Sequence, residues 1–121
     1  MRIDLANWGR LMSIIAAALL VISLFVSAPS TGGLFVPPWD KLAHFVFYGT
    51  IAFLLAMGLG RSRLLAVLLL TGSIGIADEA YQAILPGRQA DIGDMLMDFA
   101  AALVVTQVAR FAMACPSQKI T

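Results

Sequence analysis

Four long apolar stretches alternate with short polar connections along this chain. They predict four helices, at about residues 8–28, 40–60, 64–84 and 92–113. Each stretch is long enough to cross a hydrocarbon core about 30 Å thick. The connections at 29–39 and 85–91 contain proline and glycine, which favour turns, and the one at 60–63 is a short basic turn, GRSR. The pattern predicts an all-α membrane protein with four transmembrane helices in an antiparallel bundle.

Composition supports the same class. Residues 1–121 suit one domain, 60% of them are hydrophobic and only 12% are charged, whereas soluble domains carry roughly 25% charge. The net charge of +1 gives no reason to expect nucleic acid as a partner. The single cysteine, Cys115, excludes a disulfide framework and a cysteine metal motif.

The first helix has an alternative interpretation as a secretory signal peptide. A basic segment precedes the apolar run, and Val26-Ser27-Ala28 resembles a cleavage site for a signal peptidase. However, Pro29 would follow the cut, and the run at 11–28 is longer than the usual 7–15 residues. A retained helix is therefore favoured.

The distribution of basic residues predicts the orientation. Four spans put both termini on one side of the membrane. That side would carry Arg2, Arg10, Arg61, Arg63, Arg110 and Lys119. The other side would carry only Lys41 and Arg88. Because cytoplasmic loops are enriched in Lys and Arg, both termini are expected in the cytoplasm.

Polar residues cluster at three helix ends that this topology places on the non-cytoplasmic side. At about 100° per residue, each cluster forms one stripe along its helix. The stripes are Asp40, Lys41, His44 and Tyr48 on the second helix, Asp78, Glu79 and Gln82 on the third, and Asp91, Asp94 and Asp98 on the fourth. Charged stripes that face lipid are unfavourable, so we expect them to face one another. They predict a shallow outer-leaflet pocket rather than a pore.

The charge of this pocket is unbalanced. Its six acids face Lys41 and Arg88, with His44 as an optional third base, so the fully ionised cluster would carry about −4. Protonation, a metal ion or a positively charged ligand group could restore the balance. Arg88 could bind a carboxylate or phosphate through two hydrogen bonds, or brace the acids.

The same residues resemble the VanZ-like family. The resemblance runs from about Trp39 to Leu103 and rests on four blocks in order. These are Asp40-Lys41-x-x-His44, Asp78-Glu79-x-x-Gln82, Pro86-Gly87-Arg88 and Asp94-x-x-x-Asp98. Ala101 stands where the family usually has glycine, and Tyr81 where it often has histidine.

What the resemblance implies is a small bacterial membrane protein of the inner membrane. The family takes its name from a member associated with resistance to teicoplanin, a glycopeptide antibiotic. The residues that the resemblance makes candidates for ligand binding are Asp40, Lys41, His44, Glu79, Gln82, Arg88, Asp94 and Asp98.

The chemistry of these residues leaves several roles open. Paired carboxylates beside a histidine can act as general acid and base, so the catalytic candidates are His44, Glu79, Asp94 and Asp98. His44, Glu79 and Asp94 could hold a divalent metal such as Zn²⁺ or Mn²⁺, whereas an all-oxygen set would suit Mg²⁺ or Ca²⁺. The structural alternative is an interhelical polar network. In that case Asp78 and Asp91 are solvated helix-end charges, Asp91 also suits an N-cap, and Tyr48 is an interface residue.

Three functions remain as hypotheses. The first is binding of a cell-envelope ligand, such as a lipid head group, a lipid-linked cell-wall precursor or a glycopeptide antibiotic. The second is a membrane-embedded hydrolase or transferase that acts on a lipid-linked envelope substrate. The third is a small ion-coupled transporter or a structural membrane subunit. The sequence contains no HExxH, P-loop or dinucleotide-binding motif, and it does not determine the oligomeric state.

Overall fold

A computed structural model describes residues 4–114, which form four helices and no strand. The helices are α1 (Leu5–Ser27), α2 (Trp39–Leu59), α3 (Leu64–Ile84) and α4 (Ile92–Ala112). Single 3₁₀ turns, Ala28–Ser30 and Arg61–Arg63, follow α1 and precede α3. All four helices are long and apolar enough to cross a membrane, so the predicted all-α membrane class is confirmed. Arg2, Cys115 and Lys119 lie outside the described residues.

Side-chain caps set the start of two helices. The Asp4 side chain accepts a hydrogen bond from the Ala6 N–H, which satisfies one of the free donors at the start of α1. This helix therefore begins at Leu5, three residues before the predicted start. At α4, Asp91 accepts from the Gly93 N–H at 2.7 Å, so the predicted N-cap is present.

The helices alternate in direction, and α2 occupies the centre of the bundle. It packs against α1, α3 and α4, and its most extensive contact is with α4. Because α2 and α4 both run away from the same membrane face, this pair is parallel, and their N-terminal ends lie side by side. The shared core consists mainly of small or β-branched residues, which let the helices approach closely: Ala52, Ala56, Val67, Ala102 and Ala109.

Helix α1 is joined to α2 through glycine and arginine. A Cβ atom at Gly58 would overlap the Ile14 side chain and lie 3.1 Å from the Arg10 carbonyl oxygen, so only glycine fits this crossing. The Arg10 side chain donates to the Gly58 and Leu59 carbonyl oxygens at 2.9 and 3.1 Å. Carbonyl groups in the last turn of a helix have no partner within the helix, so Arg10 caps α2.

The two ends of the bundle differ in charge. We call the end with Arg10, Arg61, Arg63 and Arg110 the basic end, and the end with the three polar stripes the acidic end. Between them, the outward faces of the helices carry exposed apolar side chains, including Leu65, Leu69, Val108 and Phe111. Such a band is what contact with acyl chains requires.

Candidate functional site

The three polar stripes converge inside the acidic end, as the sequence predicts. The N-terminal turns of α2 and α4 meet the C-terminal turns of α3 there. Several polar residues are less than one-tenth exposed, namely Tyr48, Asp78, Glu79, Gln82, Asp94 and Asp98. The α2 and α4 N-termini also carry the positive ends of their helix dipoles, which stabilises the nearby carboxylates.

Lys41 is the centre of a first cluster, which we call the lysine cluster. Its ammonium nitrogen lies 2.9 Å from Asp91 Oδ2, 3.0 Å from Asp94 Oδ1 and 3.8 Å from Asp40 Oδ2. Gly93 makes this approach possible, because a Cβ atom there would lie 2.9 Å from Lys41 Nζ. The lysine thus joins α2 to the start of α4.

Asp91 is the exposed member of the lysine cluster. The hydrogen bond from Lys41, followed by the one from the Gly93 N–H, holds the pKa of Asp91 below its usual range because both favour the carboxylate form. The Asp91 backbone N–H donates to Glu79 Oε2 at 2.7 Å, which ties α4 to α3. The residue therefore links all three helices.

His44 lies between two carboxylates of α4. Its Nδ1 is 2.9 Å from Asp98 Oδ1, and its Nε2 is 3.6 Å from Asp94 Oδ2. Asp98 is fully buried, and its hydrogen bond with Nδ1 fixes the orientation of the imidazole ring. The ring also stacks on Tyr48, with centroids 5.9 Å apart and an angle of 6° between the planes.

Tyr48 and Asp78 have a larger part in the site than their sequence interpretation suggests. The Tyr48 hydroxyl donates to Asp78 Oδ2 at 3.0 Å, and the two residues are 1% and 0% exposed. They are neither an interface residue nor a solvated helix-end charge. Their spacing is the sequence signal that could have identified them as site residues. Tyr48 lies four residues after His44, and Asp78 lies four residues before Gln82, so each belongs to the polar stripe of its helix.

Three buried carboxylate oxygens have no hydrogen-bond partner among the described residues. They are Asp78 Oδ1, Glu79 Oε1 and Asp98 Oδ2. An unpaired polar atom away from water is costly, and an unpaired charge more so. The interior of the acidic end therefore has unused capacity to bind donors or cations.

A cavity of about 500 Å³ opens beside these residues. Of the predicted ligand-binding residues, five line it: Asp40, His44, Gln82, Arg88 and Asp94. Lys41, Glu79 and Asp98 do not line it. Tyr48 and Asp78 do, so they are site residues beyond the predicted set.

The opposite wall of the cavity comes from α1 and from the segment after it. Leu24, Ala28 and Phe35 contribute apolar surface, and three residues contribute hydroxyl groups, namely Ser23, Ser27 and Thr31. The sequence gives no direct signal for this wall, because α1 has no charged stripe. The cavity therefore has one charged side and one uncharged, largely apolar side.

Arg88 is positioned on the cavity by a tight turn. The Arg88 N–H donates to the Leu85 carbonyl oxygen at 3.2 Å, and Gly87 has a φ of 75°. Proline followed by a glycine with positive φ is the pattern of a type II turn. Arg88 Nη1 donates to Thr31 Oγ1 at 3.0 Å, which uses one of its five N–H groups.

Two groups of side chains are placed so that they could hold a metal ion. His44, Glu79 and Asp98 each offer one ligand atom, and these atoms lie within 4.8 Å of one another. Asp40, Asp91 and Asp94 form the second group. The sequence names Asp94 with His44 and Glu79, whereas the geometry groups Asp98 with them.

The two departures from the family pattern fit the packing. Ala101 is fully buried, and a Cβ atom at Gly49 of α2 would lie 3.8 Å from the Ala101 Cβ. The interface of α2 and α4 thus accommodates alanine at position 101 without close contacts. Tyr81 packs against Phe25 of α1, with ring centroids 5.6 Å apart.

No curated protein and no solved structure matches the chain significantly. The family description VanZ/LLP1 matches residues 5–113, which include all of α1 and almost the whole described structure. The chain belongs to the VanZ/LLP1 family.

Proposed function

We propose that this protein binds the head group of a cell-envelope amphiphile in the cavity at its acidic end. The observation that carries the proposal is the make-up of the cavity, which combines buried carboxylates, an arginine and an apolar wall in one space of about 500 Å³. Ligand sites commonly have such volumes, with a few polar groups on a mainly apolar lining.

The charges favour a ligand that carries both an amine and an anionic group. Asp78 has an unpartnered oxygen for a positively charged group. Arg88 has N–H groups beyond the one bound to Thr31, and these suit a phosphate or carboxylate. An aminophospholipid and an amine-bearing lipid-linked cell-wall precursor both have this combination. A whole glycopeptide antibiotic is several times larger than the cavity, so only part of one would enter.

The proposed location is the outer leaflet of the bacterial inner membrane. Arg10, Arg61, Arg63 and Arg110 lie at the basic end, and the rule of cytoplasmic Lys and Arg would put this end, and both termini, in the cytoplasm. The cavity would then be within reach of envelope lipids and precursors on the other side.

The test is ligand-induced stabilisation of the purified protein in detergent. The panel is phosphatidylethanolamine, phosphatidylglycerol, a lipid-linked peptidoglycan precursor and teicoplanin. We expect an amine-bearing amphiphile to raise the midpoint of thermal unfolding more than phosphatidylglycerol, because only the amine reaches the carboxylates.

Two matched variants test whether the ligand stabilises the protein by binding in the cavity. Arg88→Gln should weaken the stabilisation at least tenfold in ligand concentration, about the loss of one charge-assisted hydrogen bond. Arg61→Gln, at the basic end, should leave it unchanged. Absence of stabilisation by every member of the panel, or equal effects of the two variants, would contradict binding in this cavity.

A membrane-embedded hydrolase or transferase is the second candidate. The observation in its favour is His44, which lines the cavity and is oriented by the buried carboxylate of Asp98. A histidine held in this way can serve as a general base. Turnover of a lipid-linked diphosphate that is lost in His44→Gln, with ligand-induced stabilisation retained, would favour catalysis over binding alone.

Transport is not favoured. Between the acidic end and the basic end, the core is formed by Ala52, Ala56, Val67, Ala102 and Ala109. Thr71 and Thr106 are the buried polar residues in this part of the described chain. One chain therefore offers an ion little that could replace its water of hydration.

A further inference from the structure

The acidic end contains two groups of acids, and only one of them has an internal cation. Lys41 places its ammonium among Asp40, Asp91 and Asp94. The lysine neutralises part of the charge of these acids, and none of their oxygens is both buried and without a hydrogen-bond partner among the described residues.

The other group consists of His44, Glu79 and Asp98. Glu79 is 6% exposed and Asp98 is 0% exposed, and each has one carboxylate oxygen with no partner among the described residues. The remaining oxygens contact the Asp91 N–H and His44 Nδ1. If both carboxylates are ionised, even a charged imidazole leaves this group with a net negative charge in a buried place.

We propose that His44, Glu79 and Asp98 form a binding site for a divalent transition-metal ion of the Zn²⁺ or Mn²⁺ type. One imidazole nitrogen and two carboxylates are ligands that these ions accept, whereas Mg²⁺ and Ca²⁺ prefer oxygen alone. The ion would supply the missing positive charge and occupy the unpartnered oxygens.

The distances allow this with small adjustments. Metal–ligand bonds of about 2.0–2.2 Å place the ligand atoms of a tetrahedral site roughly 3.3–3.6 Å apart. One atom from each of the three residues already lies within 4.8 Å of the other two. We expect rotation of the side chains to supply the remaining difference.

The position of the site gives the ion a role toward a ligand. His44 also lines the cavity, so an ion bound to it lies next to the space where an amphiphile would bind. Three protein ligands leave one coordination position open, which suits an anionic oxygen of a phosphate or carboxylate. This role rests on the proposed function of the cavity, but binding of the metal does not.

The experiment uses the metal alone. The full chain is purified in detergent with a tag that contains no histidine, stripped with a chelator and then titrated with Zn²⁺, Mn²⁺, Co²⁺, Mg²⁺ or Ca²⁺. Metal content, thermal unfolding and the visible absorption of the Co²⁺ form are measured. We expect about one Zn²⁺ or Co²⁺ per chain, Co²⁺ bands of a low-coordinate site with a nitrogen ligand, and a weaker effect of Mg²⁺ and Ca²⁺.

Three variants test the ligands, and a fourth is the control. Glu79→Gln, Asp98→Asn and His44→Gln should each lower the metal affinity at least tenfold. Asp91→Asn removes an acid of the lysine cluster and should keep the metal. Since loss of a buried acid can prevent folding, the titration of the wild-type protein tests metal binding independently of the variants.

A wild-type protein that takes up no transition metal would overturn the inference. Equal affinities in Glu79→Gln and Asp91→Asn would also overturn it. These outcomes are separate from the results of the lipid panel. Uptake of metal without any response to lipid would support the metal site and contradict the proposed amphiphile ligand. A response to lipid without uptake of metal would contradict only the metal site.

Discussion

The Tyr48 hydroxyl donates a hydrogen bond to Asp78 Oδ2 across the interface of α2 and α3, at 3.0 Å and almost completely out of contact with solvent. This bond gives a buried carboxylate its only side-chain donor in the described structure. The bond also links the polar stripe of α2 to that of α3, and Tyr48 in turn stacks on His44. The pair therefore joins the site to the packing of the bundle.

Loss of the hydroxyl should destabilise the protein. In Tyr48→Phe the ring remains but Asp78 loses its donor, so we expect the free energy of unfolding to fall by about 1–3 kcal/mol. Unfolding in mixed detergent measures this. Tyr81→Phe, on the same end but outside the cluster, is the control and should stay within about 0.5 kcal/mol of wild type. Equal losses in both variants would contradict a specific role of the Tyr48 bond.

Lys41 should be replaceable only by another cation. In Lys41→Met the ammonium is removed from among three carboxylates, and Asp94, at 8% exposed, is left without it. We expect the midpoint of thermal unfolding to fall in Lys41→Met and to be largely retained in Lys41→Arg, whose guanidinium can reach the same oxygens. A Met variant as stable as the Arg variant would show that charge is unimportant at this position.

Two glycines of α2 should respond in opposite directions to the same change. At Gly49 an added Cβ would make ordinary contacts of 3.6 and 3.8 Å, so Gly49→Ala should be neutral or stabilise the helix by up to about 1 kcal/mol. At Gly58 the Cβ would overlap Ile14, so Gly58→Ala should destabilise by about 1–3 kcal/mol as α1 moves away.

The measurement is unfolding in mixed detergent, supported by a crosslink between α1 and α2. If Gly58→Ala is as well tolerated as Gly49→Ala, α1 does not pack on α2 at this crossing.

Acidification should remove the contribution of Asp91. Its pKa is lower in the folded protein than in the unfolded chain, so the contribution is fully present above the unfolded value of about 3.9 and is lost as the pH falls through the lower folded value. The midpoints of thermal unfolding of wild type and Asp91→Asn should therefore differ at pH 6, and the difference should shrink as the pH falls below about 4. A difference that is independent of pH would contradict the Lys41–Asp91 interaction as its cause.

The sequence predicts the helices and the common orientation of the stripes because both depend on local rules. Length and hydropathy define the spans, and a rotation of 100° per residue aligns Asp94 with Asp98 or Asp78 with Gln82. The cost of charge in lipid then requires these residues to face one another.

Which side chains contact one another within the site depends on how the helices are positioned relative to one another, and local sequence rules do not determine this. The axial shift of α4 against α2 decides that His44 Nδ1 meets Asp98 while Lys41 meets Asp94. A shift of one turn would bring His44 to Asp94, or Lys41 to Asp98, and would leave the other base without its carboxylate. The apolar wall from α1 likewise depends on the crossing at Gly58, which an 18-residue apolar run does not reveal.

The proposed function requires a polar cavity that faces away from the cytoplasm. In a background without Cys115, single cysteines are introduced at Ala90, beside the cavity, and at Ser62, at the basic end; both positions are exposed. Intact cells are then treated with a maleimide that cannot cross the membrane. If the cavity faces outward, we expect labelling of Ala90→Cys in intact cells and of Ser62→Cys only after lysis. Labelling of Ser62→Cys but not of Ala90→Cys in intact cells would contradict this orientation.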